Sequence, residues 1–178
     1  MLHDLDALDG AVYAAVAATD TPTLDAGLRA LSRAADHSKI NLSIAAALTL
    51  APGRWRRAGQ AGAASVAVAS FTANVLGKHL VRRPRPDREA ARVVNRYVPM
   101  PVSASFPSGH TASAFALATA VGTLLPATGP PLTLLACAVG YSRVHAGVHY
   151  PGDVLAGAFL GSTCAGAVLA AGRRFPAR

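Results

Sequence analysis

The sequence predicts an all-α fold, a polytopic helical bundle built for a membrane, and three observations carry that expectation. Hydrophobic residues fill 52% of the 178 positions and charged ones only 15%. The mean hydropathy of +0.33 is high for a water-soluble domain. The apolar residues gather into helix-length runs, separated by proline, glycine and clusters of cations. One domain over 1–178 suits this length, with about five to six helices of which four or five span. The net charge of +8 sits mainly in three clusters between the runs, and one tryptophan and four tyrosines offer little for base stacking. Nucleic acid is therefore not an expected partner.

Residues 4–19 and 22–36 read as two helices. Leu5, Leu8, Val12, Ala15 and Val16 recur at helical spacing with acids on the other side. Pro22 suits a first helical turn. Six of the nine carboxylates precede Lys39 (Asp4, Asp6, Asp9, Asp20, Asp25 and Asp36). Residues 1–38 are thus too polar to cross, and the expectation is surface helices at the interface or packed on the bundle. Asp4, Asp6 and Asp9 stand where a cleavable leader would carry basic residues, so insertion is expected from the internal helices.

Ile40 to Ala51 is apolar but short, closed by Pro52-Gly53 and the cations Arg54, Arg56 and Arg57. As a helix it covers only ~18 Å of a ~30 Å core. Gly59 to Gly77 is a better span, and its Asn74 lies one turn before Lys78 on the same face. Residues 78–108 form a basic, proline-rich connection with Lys78, Arg82, Arg83, Arg85, Arg88, Arg92 and Arg96. Three apolar helices follow, at about 109–126, 130–145 and 152–171, with Pro126 and Pro130-Pro131 at the first turn. Gly157 and Gly161 suit close helix packing. Arg173-Arg174-Phe175-Pro176 ends the last span, and Cys137 and Cys164 read as small buried hydrophobes. Counting spans puts 54–57 and 173–178 on one side of the membrane, and Lys78, His110, Arg143, His149 and Asp153 together on the other.

From Tyr97 to Gly172 the residues of fixed charge are Arg143 and Asp153 alone. Each costs roughly 2.5–3.5 kcal/mol at the centre of a bilayer, so each needs a reason. An Arg143–Asp153 pair that joins two helices is one reason, and a site is the other.

Three motifs fall on the same side. Lys78-x6-Arg85-Pro86 supplies a point charge and a planar fork, which together can hold two oxygens of a phosphate or simply touch anionic headgroups. Pro107-Ser108-Gly109-His110 opens a helix, with Ser108 as N-cap and Gly109 allowing close backbone approach. That end attracts anions and places a histidine beside them, unless the histidine there is incidental. In Ser142-Arg143-x5-His149-x3-Asp153, Asp153 lies in the first turn of the last helix if Pro151 starts it. Its carboxylate can then reach back to His149, fix the ring tautomer and leave the other nitrogen free to attack.

Taken together, these three motifs resemble the complete signature of the type 2 phosphatidic acid phosphatases, whose superfamily includes class A acid phosphatases and vanadium haloperoxidases. The resemblance covers residues 60–171, the expected catalytic core. It implies a metal-independent, cofactor-free membrane phosphatase that forms a phosphohistidine on His149, oriented by Asp153, with His110 as proton carrier. Lys78, Arg85, Ser108, Gly109 and Arg143 would bind the phosphate. His79 and His145 are expected beside the site or at interfaces, and Arg82 and Arg83 as helpers for a second phosphate or headgroup. The implied partner is a lipid phosphate in the plasma membrane: phosphatidic acid, phosphatidylglycerol phosphate, a polyprenyl diphosphate or a polyprenyl-phosphoryl sugar phosphate. The active site is expected on the extracytoplasmic face. A vanadate-dependent haloperoxidase and a non-catalytic lipid-binding protein are the alternatives.

Overall fold

The computed structural model describes residues 2–88, 96 and 98–174. Arg92, Tyr97, Phe175, Pro176 and the side chain of Leu5 lie outside the described residues. The regular elements are all helical: α1 (Leu2–Ala18), α2 (Pro22–Ala34), α3 (Lys39–Leu50), α4 (Arg54–Phe71), α5 (Lys78–Leu80), α6 (Gly109–Leu124), α7 (Gly129–His145) and α8 (Pro151–Arg174). A π-helical turn, Thr72–Gly77, carries α4 into α5. Local chemistry explains the boundaries that differ from expectation. α2 stops at Ala34 because His37 and Ser38 turn left-handed, at φ 54° and 58°. α6 stops at Leu124 because Leu125, preceding Pro126, takes a non-helical ψ of 79°.

α6 is the axis of the bundle. One face packs Leu117 and Val121 on Ala45 of α3 and Ala58 and Val66 of α4. A second packs Ala114 and Ala118 on Ala136 and Val139 of α7. The third packs Ala112 and Ala116 on Ala69 of α4 and Cys164 of α8. So many alanines leave little side-chain bulk, and the backbones close in. A Cβ on Gly157 would stand 2.5 Å from the Ser108 carbonyl oxygen, and one on Gly161 would stand 2.1 Å from that of Ala112. The glycine pair therefore sets the α6–α8 separation. A hydroxyl cluster ties α6 to α4 and to the turn at 36–38: Ser113 Oγ lies 2.9 Å from both Ser38 Oγ and Ser70 Oγ.

Large apolar side chains face outward. Leu134 is 72% exposed, Leu155 71% and Phe159 77%, a pattern that fits a lipid-facing wall. α8, with 24 residues that include an 18-residue window of mean hydropathy 1.8, is the one helix among the described residues long and apolar enough to cross a membrane by itself, and only 22% of that window is buried. α6 and α7 have 16 and 17 residues, short of the ~20 of an ordinary span. Cys137 departs from expectation. It is exposed, on the outward stripe of α7 with Leu134 and Tyr141, whereas Cys164 is buried. An apolar run predicts lipid or core equally well, and periodicity alone does not separate them. α1 and α2 pack on the bundle, α1 against α7 and α8 and α2 against α7.

Because the carbonyl facing Gly161 belongs to a helix backbone that cannot swing aside, Gly161→Val should destabilise by more than the ~1–3 kcal/mol of ordinary overpacking. Gly166→Ala, with nothing within 4 Å of the new Cβ, should be neutral. Thermal unfolding of the two variants in detergent checks both.

Candidate active site

Four chain segments bring the motif residues to one end of the bundle. Lys78 arrives at the end of the α4 run, Gly109 and His110 at the start of α6, Arg143 near the end of α7, and Asp153 in the first turn of α8. A cavity of about 410 Å³ opens there, lined by Lys78, Arg85, Gly109, His110, Arg143 and His149, together with Asp36, Ser38 and Asn74. Of the predicted residues, Asp153 and Ser108 stand behind the lining, both fully buried.

His149 sits in the turn between α7 and α8. That turn is possible because Gly147 takes φ 67° and its N–H closes on the Val144 carbonyl. The ring is 2% exposed, with Nδ1 3.4 Å from Asp153 Oδ2 and Nε2 3.3 Å from Arg85 Nη1. A guanidinium donates and never accepts, so Nε2 bears the lone pair and Nδ1–H points to the carboxylate. Burial, with Arg85 adding repulsion, pushes the imidazole down to about 4 despite the pull of Asp153. At neutral pH the ring is uncharged, as a nucleophile or acceptor must be.

Asp153 is held from several directions. Oδ2 accepts from the Tyr150 N–H at 2.9 Å, a capping-box reach back over the helix start, and from the Ser105 hydroxyl. Oδ1 accepts from Arg83 Nη1 at 3.1 Å. The Arg143–Asp153 pair considered from the sequence does not form. Arg143 instead donates to Ser32 Oγ at 2.5 Å and lies 3.7 Å from Asp36. Its Nε, buried, has no partner among the described residues.

Lys78 and Arg85 share an anchor, since Lys78 Nζ donates to Ser103 Oγ at 3.0 Å and Arg85 Nε to the Ser103 carbonyl at 2.9 Å. Arg85 Nη1 also donates to the Val148 carbonyl at 2.6 Å, fixing the fork beside His149. Ser108 is the cap of α6, its hydroxyl accepting from the Thr111 N–H and its own N–H donating to the Asp153 carbonyl at 3.0 Å. Gly109 keeps the helix start open: a Cβ there would meet Asn74 Oδ1 at 3.0 Å. His110 Nε2 lies 2.9 Å from Asp36 Oδ1, and that bond lowers the Asp36 carboxyl below the usual range.

Several contributors were invisible in the sequence. Asp36, Ser103, Ser105 and Asp9 sit in no recognisable motif. Asp9 turns inward, accepting the Gly152 N–H at 2.7 Å and pairing with Arg83 at 2.6 Å. Arg83, expected as a headgroup helper, is thereby a structural tie among Asp6, Asp9 and Asp153, stacked 4.2 Å over the Tyr150 ring. Arg82 is exposed. His145 joins Asp25 at 3.1 Å and Thr21 at 2.9 Å, an interface between α7 and α2. His79 is exposed outside the cavity.

Comparison with known proteins bears on this geometry. A family model described as the PAP2 superfamily matches residues 61–176. The chain is 40% identical over 148 residues to a decaprenylphosphoryl-5-phosphoribose phosphatase of Mycobacterium tuberculosis, covering 83% of this chain and 80% of that protein. It is 36% identical over 88 residues to the undecaprenyl-diphosphatase BcrC of Bacillus subtilis, covering 49% of this chain and 45% of that one. Two solved structures share the fold at 24% identity. Aquifex aeolicus LpxE gives a TM-score of 0.72 over 92% of this chain and 95% of its own. The transmembrane PAP2-type phosphatidylglycerolphosphate phosphatase of Bacillus subtilis gives 0.73 over 97% and 88%.

Proposed function

The chain belongs to the PAP2 superfamily and is a membrane lipid phosphatase, and on that premise we propose that His149 is its nucleophile. The observation that carries this reading is the buried His149 ring, with Asp153 on Nδ1 and the Arg85 fork beside Nε2 at the cavity wall. Nε2 attacks phosphorus in line, and the N–P bond forms as the bond to the leaving oxygen breaks. Asp153 accepts the Nδ1–H bond and stabilises the charge that the ring acquires. Lys78, Arg85 and Arg143 bind the remaining phosphate oxygens, with the start of α6 at Ser108 and Gly109 adding its dipole. The unpartnered Arg143 Nε is a donor suited to such an oxygen. His110 gives its proton to the leaving group, then takes one from the water that attacks the phosphohistidine. His149 is regenerated and inorganic phosphate departs.

The substrate is a phosphomonoester or diphosphate of a membrane lipid, its tail in the bilayer against the apolar wall of the bundle. The lipid to test first is decaprenylphosphoryl-5-phosphoribose, the substrate in the name of the Mycobacterium tuberculosis relative. Residues 1–178 act as one domain, with 60–171 as catalytic core and 1–38 as surface helices. α4, α6, α7 and α8 span, with α3 as a fifth if the bilayer thins around its 12 residues. The site end faces outward from the cell, a reading supported by the exposed Arg54, Arg56, Arg57, Arg173 and Arg174 at the opposite end.

Phosphate release in EDTA by detergent-solubilised protein, over a panel of lipid phosphates and diphosphates, tests the chemistry. Release from at least one lipid, lost by 10³-fold or more (on the order of what a missing nucleophile costs) in His149→Ala, is expected. Near-wild-type turnover by that variant would contradict the assignment. For orientation, a membrane-impermeant maleimide applied to intact cells should label Val102→Cys and not Trp55→Cys, in a background lacking Cys137 and Cys164. The reverse pattern would turn the protein over.

A further inference from the structure

The 3₁₀ turn Asp36–Ser38 between α2 and α3 belongs to the N-terminal segment, outside the three motifs, yet it lines the cavity. Two consecutive left-handed residues, His37 and Ser38, hold it in a conformation that non-glycine residues adopt only when the surrounding contacts fix it. Ser38 Oγ is bonded to Ser113 of α6 at 2.9 Å, which fixes the turn against the helix that carries His110. The outcome is one contact: Asp36 Oδ1 lies 2.9 Å from His110 Nε2.

We propose that Asp36 is the positioning residue of the proton carrier, an Asp36–His110 pair that completes the machinery around a histidine already paired with Asp153. The inference rests on the reading of His110 as proton carrier. An ionised carboxylate accepts and does not donate, so Nε2 carries the hydrogen and Nδ1 is the nitrogen that exchanges its proton with the substrate. In the first half of the reaction the His110 imidazolium gives its Nδ1 proton to the leaving oxygen as the P–O bond breaks. In the second half neutral Nδ1 takes a proton from water as the oxygen attacks the phosphohistidine. The Nε2–H bond to Asp36 persists through both halves. The charged groups that face this pair are Arg143, 3.7 Å from Asp36, and Lys78 across the cavity, and the titratable His37 stands beside Asp36 in the same turn. Arg143 and Lys78 both repel a proton on the ring. Asp36 is the carboxylate that offsets them, and it also balances Arg143 between substrate encounters.

The test is Asp36→Asn, which keeps the shape and removes the charge. For a lipid phosphate with a poor leaving group, kcat/KM should fall by about 10–100-fold, a share of the 10²–10⁴-fold that general acid catalysis supplies. For an aryl phosphate whose leaving group needs no proton, kcat/KM should change by less than about threefold, since it covers only the steps up to loss of the leaving group and the later proton uptake from water does not enter it. Asp36→Glu should recover part of the loss, and Asp36→Asn added to His110→Ala should cost nothing further. Equal losses on both substrates, or an additive double variant, would overturn the proposal while leaving His110 as the carrier. Full activity of His110→Ala alone would instead sink the reading on which it rests. If Asp36→Asn does not fold, the wild-type protein still decides. NMR of isotope-labelled histidine should find His110 as the Nε2–H tautomer, and an Nδ1–H tautomer would contradict the pairing.

Discussion

The buried carboxylate of Asp153 is the group on which the rest of this structure depends. It lies at the start of α8, where free N–H groups and the helix dipole already favour an anion. Four groups converge on it: the Tyr150 N–H, the Ser105 hydroxyl, the Arg83 guanidinium and the His149 ring. A carboxylate so supplied stays ionised although fully buried. It can therefore hold the hydrogen of His149 Nδ1 and present Nε2 to the cavity. The contributors come from the α7–α8 turn and from both ends of the 78–108 connection, so this single charge fixes that turn, that connection and, through Arg83 and Asp9, the N-terminal helix.

Packing supplies the geometry that this charge exploits. α6 contributes Leu117 and Val121 on one face and alanine on the other two, and Gly157 and Gly161 let α8 approach its backbone. The close approach brings the Asp153 carbonyl within 3.0 Å of the Ser108 N–H, so the starts of α6 and α8 are stitched together. The phosphate-binding end of one helix and the carboxylate of the other are then held in one frame. The cations facing this frame are likewise anchored, Lys78 and Arg85 through Ser103 and Arg143 through Ser32. Little side-chain freedom remains to be lost when a phosphate arrives, which is the preorganisation that phosphoryl transfer requires.

What the sequence made legible was local. Pro151 and Asp153 announce a helix start and its reach-back partner within four residues, and the Ser108 cap with Gly109 does the same for α6. The apolar runs marked α6, α7 and α8 to within a few residues. What it hid was relational. Asp36, Asp9 and Ser105 act on groups 48 to 143 positions away, and no periodicity encodes such partners. Arg83 looked like one more cation in a basic stretch, although three carboxylates surround it. Cys137 looked buried because an apolar helix facing lipid and one facing a core have the same composition. The left-handed pair His37 and Ser38 was also hidden, since neither residue type demands that conformation.

The stereochemical course at phosphorus tests the central claim most directly. A lipid phosphorothioate made chiral with oxygen isotopes would be hydrolysed in isotopically labelled water, and the configuration of the released thiophosphate determined. Attack by His149 followed by attack of water is two in-line displacements, each inverting the centre, so the account predicts net retention. Net inversion would mean that water attacks the lipid phosphate directly. His149 would then be a base or an anchor, and the phosphohistidine would have no place in the reaction.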